Sequence, residues 1–467
     1  MCGIFGVYGN RDAAGLTQLG LYSLQHRGQE SAGIVAVDDT GYARVSRAMG
    51  LVSDGFGDAE MQALEGHIAM GHTRYSTAGA SALENAQPIL ARVRTSHIAL
   101  AHNGNLTNAL ELRRELEERG AIFGSTMDSE VIVHRIARAS GNSPEGQLAD
   151  ALRGVDGAYC LLVMLDQTLL AARDPHGWRP LVIGRLGDGW VFASESCALD
   201  IVGATLVREV APGEIIAVDK NGLRSVKVLP PAPLNRCVFE HVYFARPDSL
   251  VFSGSVDRSR RALGRQLAIE CPAPGAEIVF AVPDSSNSAA LGYSEVSKIP
   301  YELALIRNHY VGRTFIQPTQ AGRDAKVKIK YNPVRELLEG RSVVMIDDSI
   351  VRGTTTRGLV SLVRAAGARE VHMRVSSAPI ISPCYYGIDT PRKEELIAAT
   401  MDHESLAQHL GVDTLGYLSL EGMLSVMPTG PSGYCHACFS GKYPTAIPAE
   451  PELLRAGGGR RVPVGVA

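Results

Sequence analysis

The stretch Ser342–Thr356, S-V-V-M-I-D-D-S-I-V-R-G-T-T-T, decides the fold of the second half of the chain. Its apolar run Val343–Ile346 is too short for a helix and rich in β-branched residues, which predicts a buried strand. Apolar residues at helical spacing follow Gly353, so a helix is predicted to begin there. A loop that enters a helix presents unpaired backbone N–H groups and the positive end of the helix dipole. The stretch therefore predicts a strand, a phosphate-binding loop and a helix.

Asp347 and Asp348 stand between the predicted strand and the predicted loop. Two carboxylates repel a phosphate that they border, so we expect the pair to hold neutral hydroxyl groups, a cation or both. A sugar phosphate with vicinal hydroxyl groups would satisfy the whole stretch at once. The alternative is a strand end whose acidic residues only cap the following helix. The continuation R-G-T-T-T at residues 352–356 favours the ligand-binding interpretation.

Strands and helices alternate through the second half, which predicts a parallel sheet with flanking helices. Ile278–Val282 and Tyr301–Ile306 are predicted strands, and Pro283–Ser288 is a polar loop after the first of them. Ligands bind beyond the carboxyl ends of strands in such sheets, so this loop and Asp347–Thr356 are expected to face one crevice. Residues 307–331 are too long and too charged for an ordinary connection, and we predict that they form a lid.

The acidic pair and the loop after it resemble the phosphoribosyl-pyrophosphate (PRPP) loop of the type I phosphoribosyltransferases. The resemblance implies that the two acids hold the ribose 2′- and 3′-hydroxyls and that the following loop wraps the 5′-phosphate. It also implies one Mg²⁺ per subunit near Ser285, Asp347 and Asp348, with a sparse protein shell because Mg²⁺ retains waters. The implied PRPP-binding residues are Asp284 and Ser285 at the pyrophosphate, then Asp347, Asp348, Ser349, Arg352, Gly353, Thr354 and Thr355.

The first half opens with Met1-Cys2-Gly3. Because Cys2 is small, we expect Met1 to be removed, which leaves a cysteine with a free α-amino group. Such an amine can serve as the base that a thiol nucleophile needs. Several polar loops follow apolar runs, where site residues tend to be carried on a rigid scaffold. Taken one at a time, each loop favours a structural role. They contain Arg27, Arg74, the pair Asn103-Gly104, and Asp128.

Together with Cys2, these loops resemble the class II glutamine amidotransferases, whose glutaminase domain uses an N-terminal nucleophile. The resemblance implies a four-layer α/β/β/α sandwich, in agreement with the many short apolar runs of the first half. It also implies that Cys2 attacks the side-chain amide of glutamine while Asn103 and Gly104 form the oxyanion hole. The remaining implied roles are Arg74 for the substrate carboxylate, Asp128 for its ammonium group and Arg27 for positioning the N-terminal residue.

Both halves together resemble one family, the amidotransferases that act on PRPP, up to about Pro448. The resemblance implies that glutamine, water and PRPP become 5-phosphoribosylamine, glutamate and pyrophosphate, the first committed step of de novo purine synthesis. It further implies internal ammonia transfer, a homotetramer and inhibition by purine nucleotides. Another class II amidotransferase would not need Asp347-Asp348-Ser349, and a PRPP-sensing regulator without catalysis would not need Cys2. An enzymatically silent scaffold is the third alternative.

Four of the eight cysteines stand in unusual contexts. Cys435 and Cys438 form a C-x-x-C pair, and Cys237 and Cys384 lie far from it along the chain. A C-x-x-C pair alone does not distinguish zinc, a redox pair and a cluster. Four thiolates suit tetrahedral zinc or a [4Fe–4S] cluster equally. The family resemblance favours the cluster, one per subunit, because its cluster-bearing members place ligands at these four contexts.

The length of 467 residues favours two domains. We predict a class II glutaminase domain at residues 2–230, a phosphoribosyltransferase domain with the cluster-binding segment at 234–448, and a flexible tail at 449–467. The net charge is −3 without a long basic run, which argues against nucleic-acid or membrane-surface binding. No apolar run reaches the about 20 residues of a membrane span. The N-terminus lacks a signal-peptide pattern, so a cytoplasmic protein is expected.

Overall fold

The computed structural model describes residues 1–75, 81–93, 96–227, 229–310, 329–390 and 392–447. Contacts divide the chain into two compact units. The first contains Met1–Cys237, Cys384–Asp389 and the chain from Tyr443 onward, and the second contains Val238–Pro383 and Thr390–Lys442. The predicted tail and the central part of the predicted lid, residues 311–328, lie outside the described residues. None of the described helices is both long and apolar enough to cross a membrane.

The first unit is built on two antiparallel sheets. Seven strands form one sheet, in the order Thr205–Glu209, Val182–Leu186, Gly189–Ala193, Gly3–Tyr8, Ile68–Arg74, Ser31–Val37 and Ala43–Met49. Six strands form the other, in the order Gly222–Lys227, Glu214–Asp219, Thr168–Arg173, Gly157–Leu165, Ser96–Leu106 and Ile89–Val93. Ile4 of the first sheet and Leu162 of the second lie in one buried cluster, so the sheets pack face to face.

Both faces of the inner strands are buried, which explains their nearly continuous apolar sequences. In S-A-G-I-V-A-V, residues 31–37, Val35 joins the core between the sheets. Its neighbour Ile34 joins a separate core on the opposite face of the same sheet. Successive side chains of a strand point to opposite faces, so burial on both faces requires apolar residues at every position.

Helices cover the outer face of each sheet and complete four layers. Leu21 of the helix Ala13–Ser23 packs in a buried cluster with Phe5 of the seven-stranded sheet. Ile132 packs in another cluster with Leu161 of the six-stranded sheet. This arrangement confirms the predicted α/β/β/α sandwich. The helices of this unit are Ala13–Ser23, Val52–Gly55, Asp58–Gln62, Ala109–Glu118, Glu130–Arg138, Pro144–Leu152 and Cys197–Ile201, with a 3-10 helix at Leu83–Asn85.

The second unit contains the predicted parallel sheet. Met345 packs in a buried cluster with Leu359 of the helix that follows the acidic pair. The four parallel strands are, in order, Ile278–Ala281, Ser342–Asp347, Glu370–Val375 and Thr414–Tyr417. The helices are Val256–Glu270, Asn287–Ser297, Arg335–Leu338, Thr354–Ala365, Ile397–Thr400, His403–Leu410, Leu420–Ser425 and Ala437–Ser440, with a π-helix at Glu240–Phe244 and a 3-10 helix at Lys393–Glu395. Short strands of this unit lie at Leu250–Val251, Gly254–Ser255 and Tyr434–Cys435, whereas the short strand Arg236–Cys237 belongs to the first unit.

The predicted strand Tyr301–Ile306 differs from what the structure contains. Its first residue makes only an isolated parallel bridge with Val279. The strand Leu305–Arg307 pairs instead with Tyr331–Pro333 in an antiparallel ribbon outside the parallel sheet. Leu303 is 60% exposed. Ile306 is exposed as well, whereas Ala304 and Leu305 are buried in the core cluster of the sheet. The end of the apolar run therefore packs against the core but pairs with its ribbon partner and not with the parallel sheet.

Candidate active sites

Cys2 lies immediately before the strand Gly3–Tyr8 and is contacted from three other places in the first unit. Its backbone N–H donates to Asn103 Oδ1 at 3.2 Å. Arg27 Nε donates to its carbonyl oxygen at 3.0 Å, and its thiol donates to the Tyr75 carbonyl oxygen at 3.7 Å. Three of the residues predicted for one reaction, far apart in sequence, therefore meet.

Asn103 and Gly104 lie in the long strand Ser96–Leu106. Asn103 is fully buried, and its Nδ2 has no hydrogen-bond partner among the described residues. A buried unpaired donor is costly, so it suggests a ligand oxygen that completes it. At Gly104 an added Cβ would lie only 1.9 Å from the Ala158 carbonyl oxygen. A donor held in such tight packing can stabilise a developing oxyanion.

The α-amino group at this end of the chain is tuned to accept a proton. Burial lowers the pKa of the Met1 α-amino group to about 6, and the charges of Arg179 and Arg27 act in the same direction. Such an amine is mostly uncharged at neutral pH. Removal of Met1 would transfer this role to the nitrogen of Cys2, which already has Asn103 Oδ1 as a partner.

Arg74 and Asp128 supply the two charges that an amino-acid substrate requires. Arg74 ends the strand Ile68–Arg74, is 2% exposed and forms an ion pair with Glu30. Asp128 Oδ2 accepts a hydrogen bond from the Leu106 N–H at 2.9 Å, which fixes it beside the strand that carries Asn103. A substrate carboxylate would share the guanidinium of Arg74 with Glu30.

Glu195 is a functional candidate that the sequence interpretation missed. Its side chain is fully buried and forms an ion pair with Arg27, whose side chain is also fully buried. The same carboxylate oxygen lies 2.7 Å from His26 Nε2. Glu195 thus orients the guanidinium that contacts the Cys2 carbonyl. The available signal was the polar run S-E-S at residues 194–196, directly after the buried strand Gly189–Ala193.

The second site lies in the second unit, at the carboxyl end of the strand Ser342–Asp347. Asp347 and Asp348 are 9% and 4% exposed. Ser286 Oγ donates to Asp347 Oδ1 at 3.3 Å and also lies 3.5 Å from Asp348 Oδ2. The polar loop Pro283–Ser288 and the acidic pair therefore face one crevice, as the strand order predicts. Ser286 was not among the predicted site residues, although its loop was.

Burial raises the pKa of both acids. For Asp347 the neighbouring charge of Asp348 acts in the same direction. For Asp348, hydrogen bonds from Ser285 and Ser349 and the charge of Arg260 partly oppose the effect of burial. Among the described residues, neither carboxylate forms an ion pair. Hydroxyl donors or a cation are the ligands that would stabilise the charged pair.

The other predicted PRPP residues surround this pair. Asp284 forms an ion pair with Arg307, and the peptide bond between Pro283 and Asp284 is cis. Arg352 Nε donates to Glu395 at 3.0 Å on the surface. Gly353 has φ +71° and precedes the helix Thr354–Ala365, whose first two residues are the predicted Thr354 and Thr355. No side chain caps this helix N-terminus, so its backbone N–H groups are placed to bind a phosphate.

All eight cysteines lie in the described part of the chain, and Cys2, Cys160, Cys197 and Cys237 are buried. Cys237 and Cys384 belong to the first unit, and Cys435 and Cys438 to the second. Cys384 Sγ accepts a hydrogen bond from the Tyr386 N–H at 3.3 Å. Within the described ranges, no group of three or more histidine, cysteine, aspartate and glutamate side chains is arranged to hold a metal ion. The magnesium and cluster sites therefore stay predictions.

Comparisons with known proteins find relatives over nearly the full length of the chain. A family model described as a glutamine amidotransferase domain matches residues 72–200. The amidophosphoribosyltransferase of Bacillus subtilis is 48% identical over 451 residues, which are 96% of this chain and 94% of the relative. Amidophosphoribosyltransferase 1, chloroplastic, of Arabidopsis thaliana is 48% identical over 458 residues, which are 98% of this chain and 81% of the relative.

Solved structures give the same result. The B. subtilis glutamine PRPP amidotransferase complexed with ADP and GMP has 47% identity and a TM-score of 0.89, over 96% of this chain and 98% of that one. A structure described as the allosteric regulatory enzyme of purine biosynthesis has 46% identity and a TM-score of 0.92, over 97% and 99%. With the sandwich, the parallel sheet and both groups of site residues in place, this identity over almost the full length shows that the chain belongs to the amidophosphoribosyltransferase family.

Proposed function

We propose that the chain converts glutamine, water and PRPP to 5-phosphoribosylamine, glutamate and pyrophosphate, the first committed step of de novo purine synthesis. The observation that carries the proposal is the presence of two chemically different sites in one chain. The first unit holds Cys2 beside Asn103, whose Oδ1 accepts from Cys2 and whose Nδ2 has no partner in the described part of the chain. The second holds the buried pair Asp347 and Asp348 before a helix N-terminus. Another class II amidotransferase does not need the acidic pair, and a PRPP-sensing regulator does not need Cys2.

In the first unit, the amine of the processed N-terminus takes the thiol proton, and the Cys2 sulfur attacks the side-chain carbonyl carbon of glutamine. Asn103 Nδ2 and the Gly104 N–H stabilise the oxyanion of the tetrahedral intermediate. The amine returns the proton to the leaving nitrogen, so that ammonia departs and a thioester remains. Water then adds to the thioester, which releases glutamate and restores the thiol. Arg74 and Asp128 hold the α-carboxylate and the α-ammonium group throughout.

In the second unit, the nitrogen lone pair of ammonia attacks the anomeric carbon of PRPP. The bond from this carbon to the pyrophosphate oxygen breaks, and pyrophosphate leaves with the electron pair. Asp347 and Asp348 hold the ribose hydroxyls, and the loop to Thr355 holds the 5′-phosphate, so the protein contributes positioning and charge complementarity. We propose internal transfer of ammonia, because ammonia that equilibrates with solvent becomes ammonium and is no longer a nucleophile.

Two inorganic groups belong to the proposal. Buried carboxylates of raised pKa without an ion-pair partner in the described chain fit a divalent cation, and Mg²⁺ prefers such oxygen ligands. Bound Mg²⁺ would neutralise pyrophosphate charge near Ser285, Asp347 and Asp348. Cys237, Cys384, Cys435 and Cys438 would supply the four thiolates that a [4Fe–4S] cluster needs. The Val238 N–H, directly after Cys237, donates to the Cys435 carbonyl oxygen at 3.2 Å, which supports this ligand set.

Regulation, assembly and location are proposed from the family. The B. subtilis relative was solved in complex with ADP and GMP. We propose that purine nucleotides inhibit this chain as well. We also propose that it works as a cytoplasmic homotetramer.

The Cys2→Ala variant tests the proposed function. Removing the nucleophile should abolish 5-phosphoribosylamine formation from glutamine, while formation from added ammonia and PRPP should persist within about twofold of the parent. Both rates are measured on the same preparation, with Cys160→Ala as control because this buried thiol lies in the core between the sheets. If Cys2→Ala forms 5-phosphoribosylamine neither from glutamine nor from ammonia, the assignment of the two reactions to two separate sites is wrong.

A further inference from the structure

The segment Cys384–Asp389, called here the return segment, lies within the first unit although the chain on both sides of it belongs to the second. Two of its backbone carbonyls are bound by buried side chains of the sandwich. Asn105 Nδ2 donates to the Tyr385 carbonyl oxygen at 2.9 Å. Arg179 Nε donates to the Tyr386 carbonyl oxygen at 3.2 Å, and a second nitrogen of Arg179 donates to the same oxygen.

The side chain of Tyr386 fixes the return segment further. Its ring stacks on the fully buried Trp178, with 4.5 Å between centroids and 17° between planes. Its hydroxyl shares a hydrogen bond of 2.9 Å with Thr445 Oγ1. Stacking of two aromatic rings and a satisfied buried hydroxyl hold the backbone in one position.

Gly387 brings the return segment against the backbone of Gly104. It has φ +103°, and an added Cβ would lie 3.0 Å from both the carbonyl carbon and the carbonyl oxygen of Gly104. On its other side, Gly104 approaches the Ala158 carbonyl so closely that a Cβ there would lie 1.9 Å from the oxygen. The Gly104 backbone is therefore enclosed by Ala158 and by Gly387, which fixes the Cα of Gly104 and the peptide bond that joins it to Asn105.

We propose that the return segment is a positioning element of the glutaminase reaction, with Gly387 and Asn105 as positioning residues that act through Gly104. The inference rests on the proposed role of Asn103 and Gly104 as the oxyanion hole. Displacement of Gly104 by a few tenths of an ångström lengthens its hydrogen bond to the oxyanion. It leaves the contact of the substrate carboxylate with Arg74 in place, because Arg74 belongs to the other sheet.

Gly387→Ala tests the inference in the full chain. We expect kcat for glutamine hydrolysis to fall about 10- to 100-fold, somewhat less than for complete loss of an oxyanion-hole donor. KM for glutamine should stay within about twofold, since ground-state binding is unaffected. Ammonia-dependent synthesis should be retained. Gly222→Ala is the matched control, because Gly222 has φ +97° but nothing within 4 Å of an added Cβ.

A second pair of variants covers the case in which Gly387→Ala misfolds. Asn105→Asp replaces the donor to the Tyr385 carbonyl by an acceptor of the same size and should reduce kcat without raising KM. Asn108→Asp is its control, because Asn108 Nδ2 also donates to a backbone carbonyl, that of Gly154, at 2.9 Å. The γ-aldehyde analogue of glutamine adds to Cys2 and places its oxygen in the oxyanion hole. Its affinity should fall in step with kcat, while the inhibition constant of glutamate stays unchanged.

Normal kcat and normal aldehyde affinity in both Gly387→Ala and Asn105→Asp would overturn the inference. A parallel loss of glutamate binding and aldehyde binding would overturn it as well, because a general collapse of the site is not a positioning effect. Asn103→Ala separates these results from failure of the proposed function. If Asn103→Ala keeps full glutaminase activity, the oxyanion-hole assignment itself is wrong.

Discussion

At the scale of single residues, Asp347 and Asp348 form a buried, like-charged pair, and such a pair costs stability when no ligand compensates its charge. Burial and the charge of Asp348 raise the pKa of Asp347 above its ordinary value. The folded chain therefore binds this proton more tightly than the unfolded chain does. Between the ordinary aspartate pKa of about 4 and the higher pKa in the folded protein, a rise in pH removes the proton from the unfolded chain first. The free energy of unfolding therefore falls across this pH range. Above this pH range Asp347 is charged in the folded protein as well, and the full cost of burying its charge lowers stability. A bound ligand must offset this cost.

Asp347→Asn removes one of the two like charges and should therefore stabilise the ligand-free protein at neutral pH. We expect a gain of about 1 kcal/mol, which is a Tm shift of about 2–4 °C for a unit of this size. The fall in stability with rising pH should become shallower. KM for PRPP should rise about 10- to 150-fold, since a charged hydrogen-bond partner contributes about 1.5–3 kcal/mol. Thermal unfolding as a function of pH and ammonia-dependent kinetics measure both effects.

Asp413→Asn is the control, because the pKa of Asp413 is shifted in the opposite direction from that of Asp347. Burial would raise the pKa of Asp413, but the Val371 N–H and Arg364 donate to it and the net effect is a lowered pKa. The variant should lose stability at neutral pH and leave KM for PRPP unchanged. A less stable Asp347→Asn protein at neutral pH would contradict the proposed strain, and an unchanged KM would contradict the ribose assignment.

Residues marked by a local pattern or by the family resemblance could be predicted, and Glu195 and Ser286, which neither marks, could not. Asp347 and Asp348 stand in one stretch with the loop that they serve, so the pattern alone indicates a ligand. Glu195 pairs with Arg27 across 168 residues, and only the folded sheet brings them together. Ser286 was missed for a similar reason, because its contact with the acidic pair spans 61 residues.

At the scale of elements, the start of the helix Thr354–Ala365 suits the predicted phosphate site. This helix follows Gly353, which has no side chain to cap it. By contrast, Asp402 and Ser419 precede the helices His403–Leu410 and Leu420–Ser425, and their side chains accept hydrogen bonds from the first turn. The N–H groups at the start of Thr354–Ala365 are thus available to a ligand. The start of this helix was predictable because glycine and apolar spacing mark it, whereas the partly buried run Tyr301–Ile306 carries no mark that separates it from a core strand.

Gly353→Ala should impair PRPP binding with little effect on glutaminase activity. An added Cβ would lie 2.7 Å from Ile397 Cδ1, at φ +71°, so the loop must shift away from the helix start. The control is Gly340→Ala, since Gly340 has φ +72° and nothing within 4 Å of an added Cβ. Both variants carry the left-handed strain of about 1–2 kcal/mol. Only Gly353→Ala should lose affinity for PRPP, about tenfold or more, in ammonia-dependent kinetics. If both variants lose PRPP affinity equally, backbone strain and not the position of the loop causes the loss.

At the scale of the whole molecule, the order of the chain and the order of the units differ. The sequence predicts two consecutive domains. By their contacts, however, Cys384–Asp389 and Tyr443–Ile447 belong to the first unit, although both follow residues of the second unit in the chain. No local pattern encodes such a return, because it depends on buried contacts such as Trp178 with Tyr386 and Asn105 with Tyr385. For the same reason Cys384 belongs to the first unit, although the residues before it in the chain belong to the second.

The four cysteines of the proposed cluster lie far apart along the chain, so the cluster should cross-link distant segments. Protein purified without oxygen should contain iron and sulfide at about four each per chain. Cys435→Ser should lose most of both and unfold at lower temperature, because a closed loop in the chain is lost along with the metal bonds. Cys271→Ser is the control, since Cys271 is half-buried and its thiol only donates to the Tyr417 carbonyl at 3.3 Å. If the purified protein contains stoichiometric zinc and no iron, the cluster hypothesis is wrong and a tetrahedral zinc site takes its place. If Cys435→Ser keeps its full iron content, Cys435 is not a ligand of the cluster.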